Sequence, residues 1–181
     1  MRARDLEIVI GTLDPGPHNA ITDVPGVSVG HTTLIAEEGP LRTGQGPIRT
    51  GVTVIQPHEG NIWQDPLFAG CHRLNGNGEM TGAAHSSGDI FIAFSTGNQG
   101  LPIPNQESNT GPLTAPLTML ANAYITDLFE AVVEATEEAI VNALVAAETM
   151  TGRDGNTAYK LPPDRLIEVM SNYRHTYTSP K

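Results

Sequence analysis

Three residue types that together serve acyl-transfer chemistry stand two apart in one stretch: His85, Ser87 and Asp89. Alternate side chains of a β-strand share a face, so a strand covering all three would gather a base, a hydroxyl and an acid on one side of a sheet. A nucleophilic serine must hydrogen-bond its base, yet same-face neighbours on one strand stand about 7 Å apart at the backbone. A self-contained triad is therefore disfavoured. The plainer account is that Ser86, Ser87 and Asp89 bond backbone groups where the strand begins, as Ser and Asp do in turns.

Other chemistry-bearing stretches are weaker. Leu74-Asn75-Gly76-Asn77-Gly78-Glu79-Met80-Thr81-Gly82 alternates glycine with polar residues. Its backbone could approach a ligand closely while Asn75, Asn77 and Glu79 offer bonding groups. It has no Gly-Lys-Ser/Thr and misses the dinucleotide spacing, so it does not read as a nucleotide loop. Cys71-His72 with His58 would suggest a metal, but no second cysteine stands at ligand spacing and there is no His-Glu-x-x-His. No metal and no cofactor are expected. Glu130, Glu134, Glu137 and Glu138 are spaced as the solvated face of a helix and are assigned no chemistry.

The elements that must position these residues differ between the two halves. Glycine and proline concentrate before about residue 117, where short apolar stretches alternate with turns. Pro25-Gly26 marks a tight turn between two strands, and 51–56 reads as a strand ending at Pro57. The apolar run in 89–96 predicts a strand covered on both faces, and 99–116, with its prolines, predicts an exposed loop. A helix is predicted over 127–150. Leu128, Phe129, Val132, Val133, Ala139, Ile140, Ala143, Leu144 and Ala147 supply its buried face. Asp127 would cap its start with Glu130 as reciprocal partner, and Gly152 would stand left-handed past its end. A second helix is predicted over 163–173, opened by Pro163.

With 181 residues, 39% of them apolar, residues 1–181 are expected to form a single domain. The net charge of -10 argues against nucleic acid or an anionic membrane as partner. No stretch is apolar for long enough to span a bilayer. The lone Cys71 precludes an internal disulfide, which fits a cytoplasmic setting.

Ile21-Thr22-Asp23-Val24-Pro25-Gly26-Val27-Ser28-Val29-Gly30-His31, Arg49-Thr50-Gly51-Val52-Thr53 and the glycine-rich string 74–82 resemble the opening of the DmpA-like P1 family. This is the L-aminopeptidase/D-esterase or β-aminopeptidase group. His85-Ser86-Ser87-Gly88-Asp89-Ile90-Phe91 and the run 130–140 resemble the same family's C-terminal region. Residues 1–82 thus resemble the start of its first subunit and 85–173 the later part of its second.

The resemblance implies a four-layer α/β/β/α fold, here an α/β fold truncated by an internal deletion. It implies a homo-oligomer made as a precursor that cuts itself before a serine. The freed serine then attacks small peptide, amide or ester substrates. A terminal amine titrates near about 7.7 and can take the hydroxyl proton without a histidine. In the family the self-cleaving Gly-Ser lies between the two matched regions. Here the junction is Gly82-Ala83-Ala84-His85, and no Gly-Ser dipeptide occurs in the sequence. The nucleophile is therefore absent. Ser87 and Asp89 match the family's Ser-x-acid pair, which supports and orients the nucleophile. Three readings stay open: an aminopeptidase-type hydrolase that is inactive or impaired, a non-catalytic scaffold or interaction subunit, and a rebuilt site in which Ser86 or Ser87 works with His85.

Overall fold

The computed structural model describes residues 1–61, 65–74, 89–101 and 114–174. Strands β1 (Ser28–Ala36) and β2 (Ile48–Gln56) pair with each other, as do β3 (Phe68–Leu74) and β4 (Asp89–Ser95). The short strands β5 (Met150–Thr151) and β6 (Thr157–Ala158) form a third pair. Two helices, α1 (Ile125–Ala146) and α2 (Pro163–Arg174), complete the mixed α/β chain. The residues group into two interleaved units. One holds Met1–Pro15, His31–Val52 and Ala121–Lys181; the other holds Gly16–Gly30 and Thr53–Leu120.

In the first unit α1 forms where alanines, leucines and glutamates run without a proline or glycine. It opens from a 3₁₀ turn, Asn122–Tyr124, and its N-cap is Tyr124 without a side-chain cap. Asp127 therefore lies inside the first turn, where its charge still favours the helix dipole. The C-cap is Ala147 in an extended conformation, and Gly152 has φ -90. Neither predicted cap of this helix is realised, because the chain enters through the 3₁₀ turn and leaves extended. The opening of α2 at Pro163 follows the prediction.

The face that α1 buries is not the predicted one. Glu138 and Val145 are its buried residues, 6% and 7% exposed, while Leu128, Phe129, Val132, Val133, Ile140 and Leu144 are between 52% and 65% exposed. The buried side meets the N-terminal segment. Arg4 holds Glu138 in a two-point pair, Nε donating to Oε1 at 2.9 Å and Nη2 to Oε2 at 2.8 Å. The Ala3 amide donates to Asn142 Oδ1 at 2.8 Å. Glu134 accepts from the Thr12 and Leu13 amides at 2.8 and 2.9 Å. Gly11, at φ +75, allows that approach, since a Cβ there would collide with the Glu134 carboxylate. The glutamates read as solvated are thus, at 134 and 138, the anchor of the amino-terminal segment. Ala3 and Ile8 are buried beside this anchor in sequence, in a small core.

Arg49, at the start of β2, donates to four backbone carbonyls: Nε to Thr151 and Nη1 to Ala36, Glu37 and Ile48. Its Nη2 pairs with Glu38 at 2.8 Å. One guanidinium therefore ties β2 to the end of β1 and to β5. Gly51 lets β1 and β2 approach, because a Cβ there would stand 3.0 Å from the Thr32 carbonyl oxygen.

In the second unit the predicted turn at Pro25-Gly26 is present. The Val27 amide donates to the Val24 carbonyl at 3.1 Å, and Gly26 has φ +85, the geometry of a type II turn. The residues before it, Ile21–Asp23, form a 3₁₀ turn rather than a strand. Asp23 explains this: its carboxylate accepts from the amides of His18 and Ala20, giving that backbone a local partner instead of a ladder. The strand predicted over 89–96 is β4, but Ile90 and Ile92 are each 69% exposed and Phe91 is 53% exposed. The apolar run makes the strand; it does not supply the layers that would cover it. The predicted loop 99–116 lies largely outside the described residues.

Candidate active site

The β3–β4 pair carries the candidate site. It is antiparallel with Phe68 opposite Ser95 and Leu74 opposite Asp89, so the ladder closes at that last pair. Asp89 is the first residue of β4, and its side chain lies outside the described part. Ser87 lies outside the described residues, as do His85, Ser86 and the glycine-rich string from Asn75 onward. The register nevertheless fixes one relation. The two stretches that carry the sequence motifs, 74–82 and 85–91, leave from the same end of one two-stranded sheet, separated there by a single inter-strand step of about 5 Å.

Cys71 stands opposite Ile92 and His72 opposite Phe91, so both lie in the ladder. Cys71 is exposed and free. Among the described residues no three His, Cys, Asp or Glu side chains are placed to hold a metal ion. His58 has a different setting from the one its sequence context suggested. It is 8% exposed, its Nδ1 accepts from the Gly60 amide at 2.7 Å, and its own carbonyl accepts from Gln56 Nε2 at 3.0 Å. The Gly60 bond puts the proton of the neutral ring on Nε2, which has no partner among the described residues. A Cβ on Gly60 would stand 2.7 Å from the imidazole, so the glycine is what lets the ring fold back on its own loop. No local spacing in the sequence signals this burial.

Charge elsewhere serves structure. The Glu134 carboxyl is held below the usual carboxylate range, first by the Thr12 amide and then by the Leu13 amide, and Arg4 is held more firmly protonated by its hydrogen bond to Glu138. A shallow groove of about 420 Å³ is lined by Arg49, Met150, Gly152, Asn156, Thr157 and Ala158. The guanidinium beside it is already committed to carbonyls and to Glu38. The motif residues Asp23, Gly26, Arg49 and Gly51 thus build turns and strand contacts.

The sequence profile of Peptidase family S58 matches residues 19–85 and 83–158, most of the chain. The chain belongs to peptidase family S58. It is similar to β-peptidyl aminopeptidase BapA of Sphingosinicella microcystinivorans, 51% identical over 81 residues that make up 45% of this chain and 20% of the relative. It is also similar to β-peptidyl aminopeptidase BapA of Sphingosinicella xenopeptidilytica, 48% identical over 107 residues, 55% of this chain and 26% of the relative. The S58 chain thus spans about a quarter of the length of these two relatives or less.

Among solved structures, a Burkholderia sp. β-aminopeptidase superimposes with TM-score 0.82 at 24% identity, covering 99% of this chain and 100% of the other. The PH0078 protein of Pyrococcus horikoshii OT3 gives 0.84 at 22% identity, covering 96% and 99%. The fold is shared with both. The two stretches matched to the S58 profile meet at residues 83–85.

Proposed function

We propose that this chain is an S58 aminopeptidase by descent, of the type that releases N-terminal residues from small peptides, amides or esters, and that it is inactive or impaired. The observation that carries this reading is the meeting of the two profile matches at 83–85 in a sequence with no Gly-Ser dipeptide. A terminal serine attacks through its hydroxyl, uses its own amine as base, and needs donors for the oxyanion that forms. None of this can begin without the nucleophile. Residues 1–82 then correspond to the start of the first subunit and 85–173 to the later part of the second. Ser87 and Asp89 are the supporting pair, and the backbone of Asp89 heads β4 opposite Leu74.

Substrates of the ancestral site would be small peptides, amides or esters, and the names of the two BapA relatives add amides of β-amino acids. Nucleic acid is disfavoured by the charge of -10. No described helix is long and apolar enough to cross a membrane. A cytoplasmic homo-oligomer needing no metal or cofactor completes the proposal. The second reading, a non-catalytic scaffold or interaction subunit, is favoured by the apolar face that α1 leaves bare.

The test is hydrolysis of α- and β-amino-acid p-nitroanilides by the purified protein, beside an Asp89→Ala variant and a denaturing gel. We expect no turnover above the buffer rate and one uncut band. Turnover by an uncut chain that Asp89→Ala abolishes would overturn the inactive assignment and support the rebuilt site at Ser86 or Ser87 with His85.

A further inference from the structure

We propose that His58 is an acid-operated latch at the base of the β3–β4 pair: neutral, its ring holds the backbone at Gly60, and protonated, it gives up that hold and turns to Asp65. The proposal stands on this segment alone and holds whether or not the chain hydrolyses amides.

The ring makes one bond. Its Nδ1 accepts from the Gly60 amide at 2.7 Å, and the residue is 8% exposed. An imidazole nitrogen accepts only while it carries no proton. A proton there would set one N–H against another, so the Gly60 bond and the charged ring exclude each other. Histidine is the side chain whose charge ordinarily changes between about pH 5 and 8. The backbone of His58 is held separately. Gln56 Nε2 donates to its carbonyl at 3.0 Å, and the turn at Gly26 lies against it, since a Cβ on Gly26 would stand 3.8 Å from the His58 Cα and Cβ. The ring can therefore turn while its own backbone stays in place.

Asp65 is the group placed to receive it. A Cβ on Gly60 would stand 2.7 Å from the ring atoms Cε1 and Nδ1 and 3.7 Å from Asp65 Cβ, so ring and aspartate border the same point. Asp65 is half-buried, and its amide donates to the Asn61 carbonyl at 2.9 Å. Its Oδ1 accepts from the Gly100 amide at 2.9 Å, which joins the segment entering β3 to the one leaving β4. Among the described residues no other charge competes for the ring: the turn 24–27 has no titratable side chain, and Glu59, next to His58 in sequence, is exposed. An imidazolium brings a full charge to the bond it donates, where the Gly100 amide offers only a dipole. Acid thus exchanges two bonds, Gly60 to His58 and Gly100 to Asp65, for one ion pair. The exchange loosens the end of the ladder where Phe68 faces Ser95, opposite the Leu74–Asp89 end.

Amide spectra of the isotope-labelled chain between about pH 8 and 5.5 test this. The Gly60 and Gly100 amides and the His58 ring should move with one shared midpoint, and the Gly60 amide should lose protection against hydrogen exchange on the acid side. His58→Asn, whose side-chain oxygen accepts from Gly60 but takes no proton, should abolish the step at both glycines. Asp65→Asn, which keeps an acceptor for Gly100 without the charge, should retain the Gly60 step and erase the one at Gly100. A Gly60 amide that stays in place while the His58 ring titrates would overturn the latch, as would an unchanged step in His58→Asn. A Gly100 amide that still moves in Asp65→Asn would overturn the exchange. Should a variant fail to fold, unequal midpoints for the His58 ring and the Gly60 amide in the wild-type chain would overturn the proposal by themselves.

Discussion

Glu134 and Glu138 show how far a residue's work can lie from its local spacing. Both sit in a run of glutamates on a helix, and on sequence alone nothing sets them apart from Glu130 and Glu137. Their partners are more than a hundred residues away, at Arg4, Thr12 and Leu13. Glu134 yields a pH prediction. Its carboxyl is shifted down by the Thr12 and Leu13 amides, so the charged form binds them and the protonated form does not. The resulting stability is fully present above the ordinary carboxyl value of 4.5 and is lost as pH falls through the lower value of the folded chain. The Thr12 and Leu13 amide resonances should therefore move with a midpoint below 4.5. Glu134→Gln should remove that transition. A midpoint at or above the ordinary value would contradict the assigned bonds. Asp89 and Ser87 are the opposite case: their proposed pairing rests on the family resemblance alone, because spacing by itself favours a turn-bonding role.

At the scale of elements, the two long helices and β4 were legible and the faces they bury were not, while the segment before Pro25 forms a 3₁₀ turn where a strand was expected. Apolar periodicity located α1 and α2 to within a few residues, and the run at 89–96 located β4. Periodicity says that a helix has two faces. It does not say which face the rest of this chain reaches. In α1 the amino-terminal segment docks on the polar side through a part-buried ion pair and backbone bonds, leaving the apolar stripe free. The consequence can be measured by chemical denaturation. Val145→Ala, at a buried site, should cost about 1–2 kcal/mol, more than Ile140→Ala, which on a dilute sample should stay within about 0.5 kcal/mol. The reverse order would mean that the stripe is the buried face after all. The missed caps of α1 have a similar origin. Asp127 is a good cap by type, but the preceding 3₁₀ turn at Asn122–Tyr124 starts the helix earlier.

For the molecule as a whole, few apolar side chains are buried among the described residues: Ala3, Ile8, Val27 and Val145. A domain of this length normally buries most of its large apolar side chains. The proposed homo-oligomer would gain folded-state stability by mass action, so the midpoint of thermal unfolding should rise with protein concentration. A concentration-independent midpoint in the wild-type chain would argue against any folded-state assembly.

Sequence by itself determined the family, the two long helices, strand β4 and the absence of a Gly-Ser dipeptide. These are local facts, written in short motifs and periodicities that survive whatever the rest of the chain does. It also determined the turn at Gly26, because a positive φ after proline is a demand on one residue. Tertiary structure alone decided that Glu134 and Glu138 anchor the amino terminus, that Arg49 ties β1, β2 and β5, that His58 is buried against Gly60, and which side of α1 is bare. Each of these depends on which distant segment arrives first at a shared surface. That is settled by packing and hydrogen-bond satisfaction across the fold, which no local pattern records.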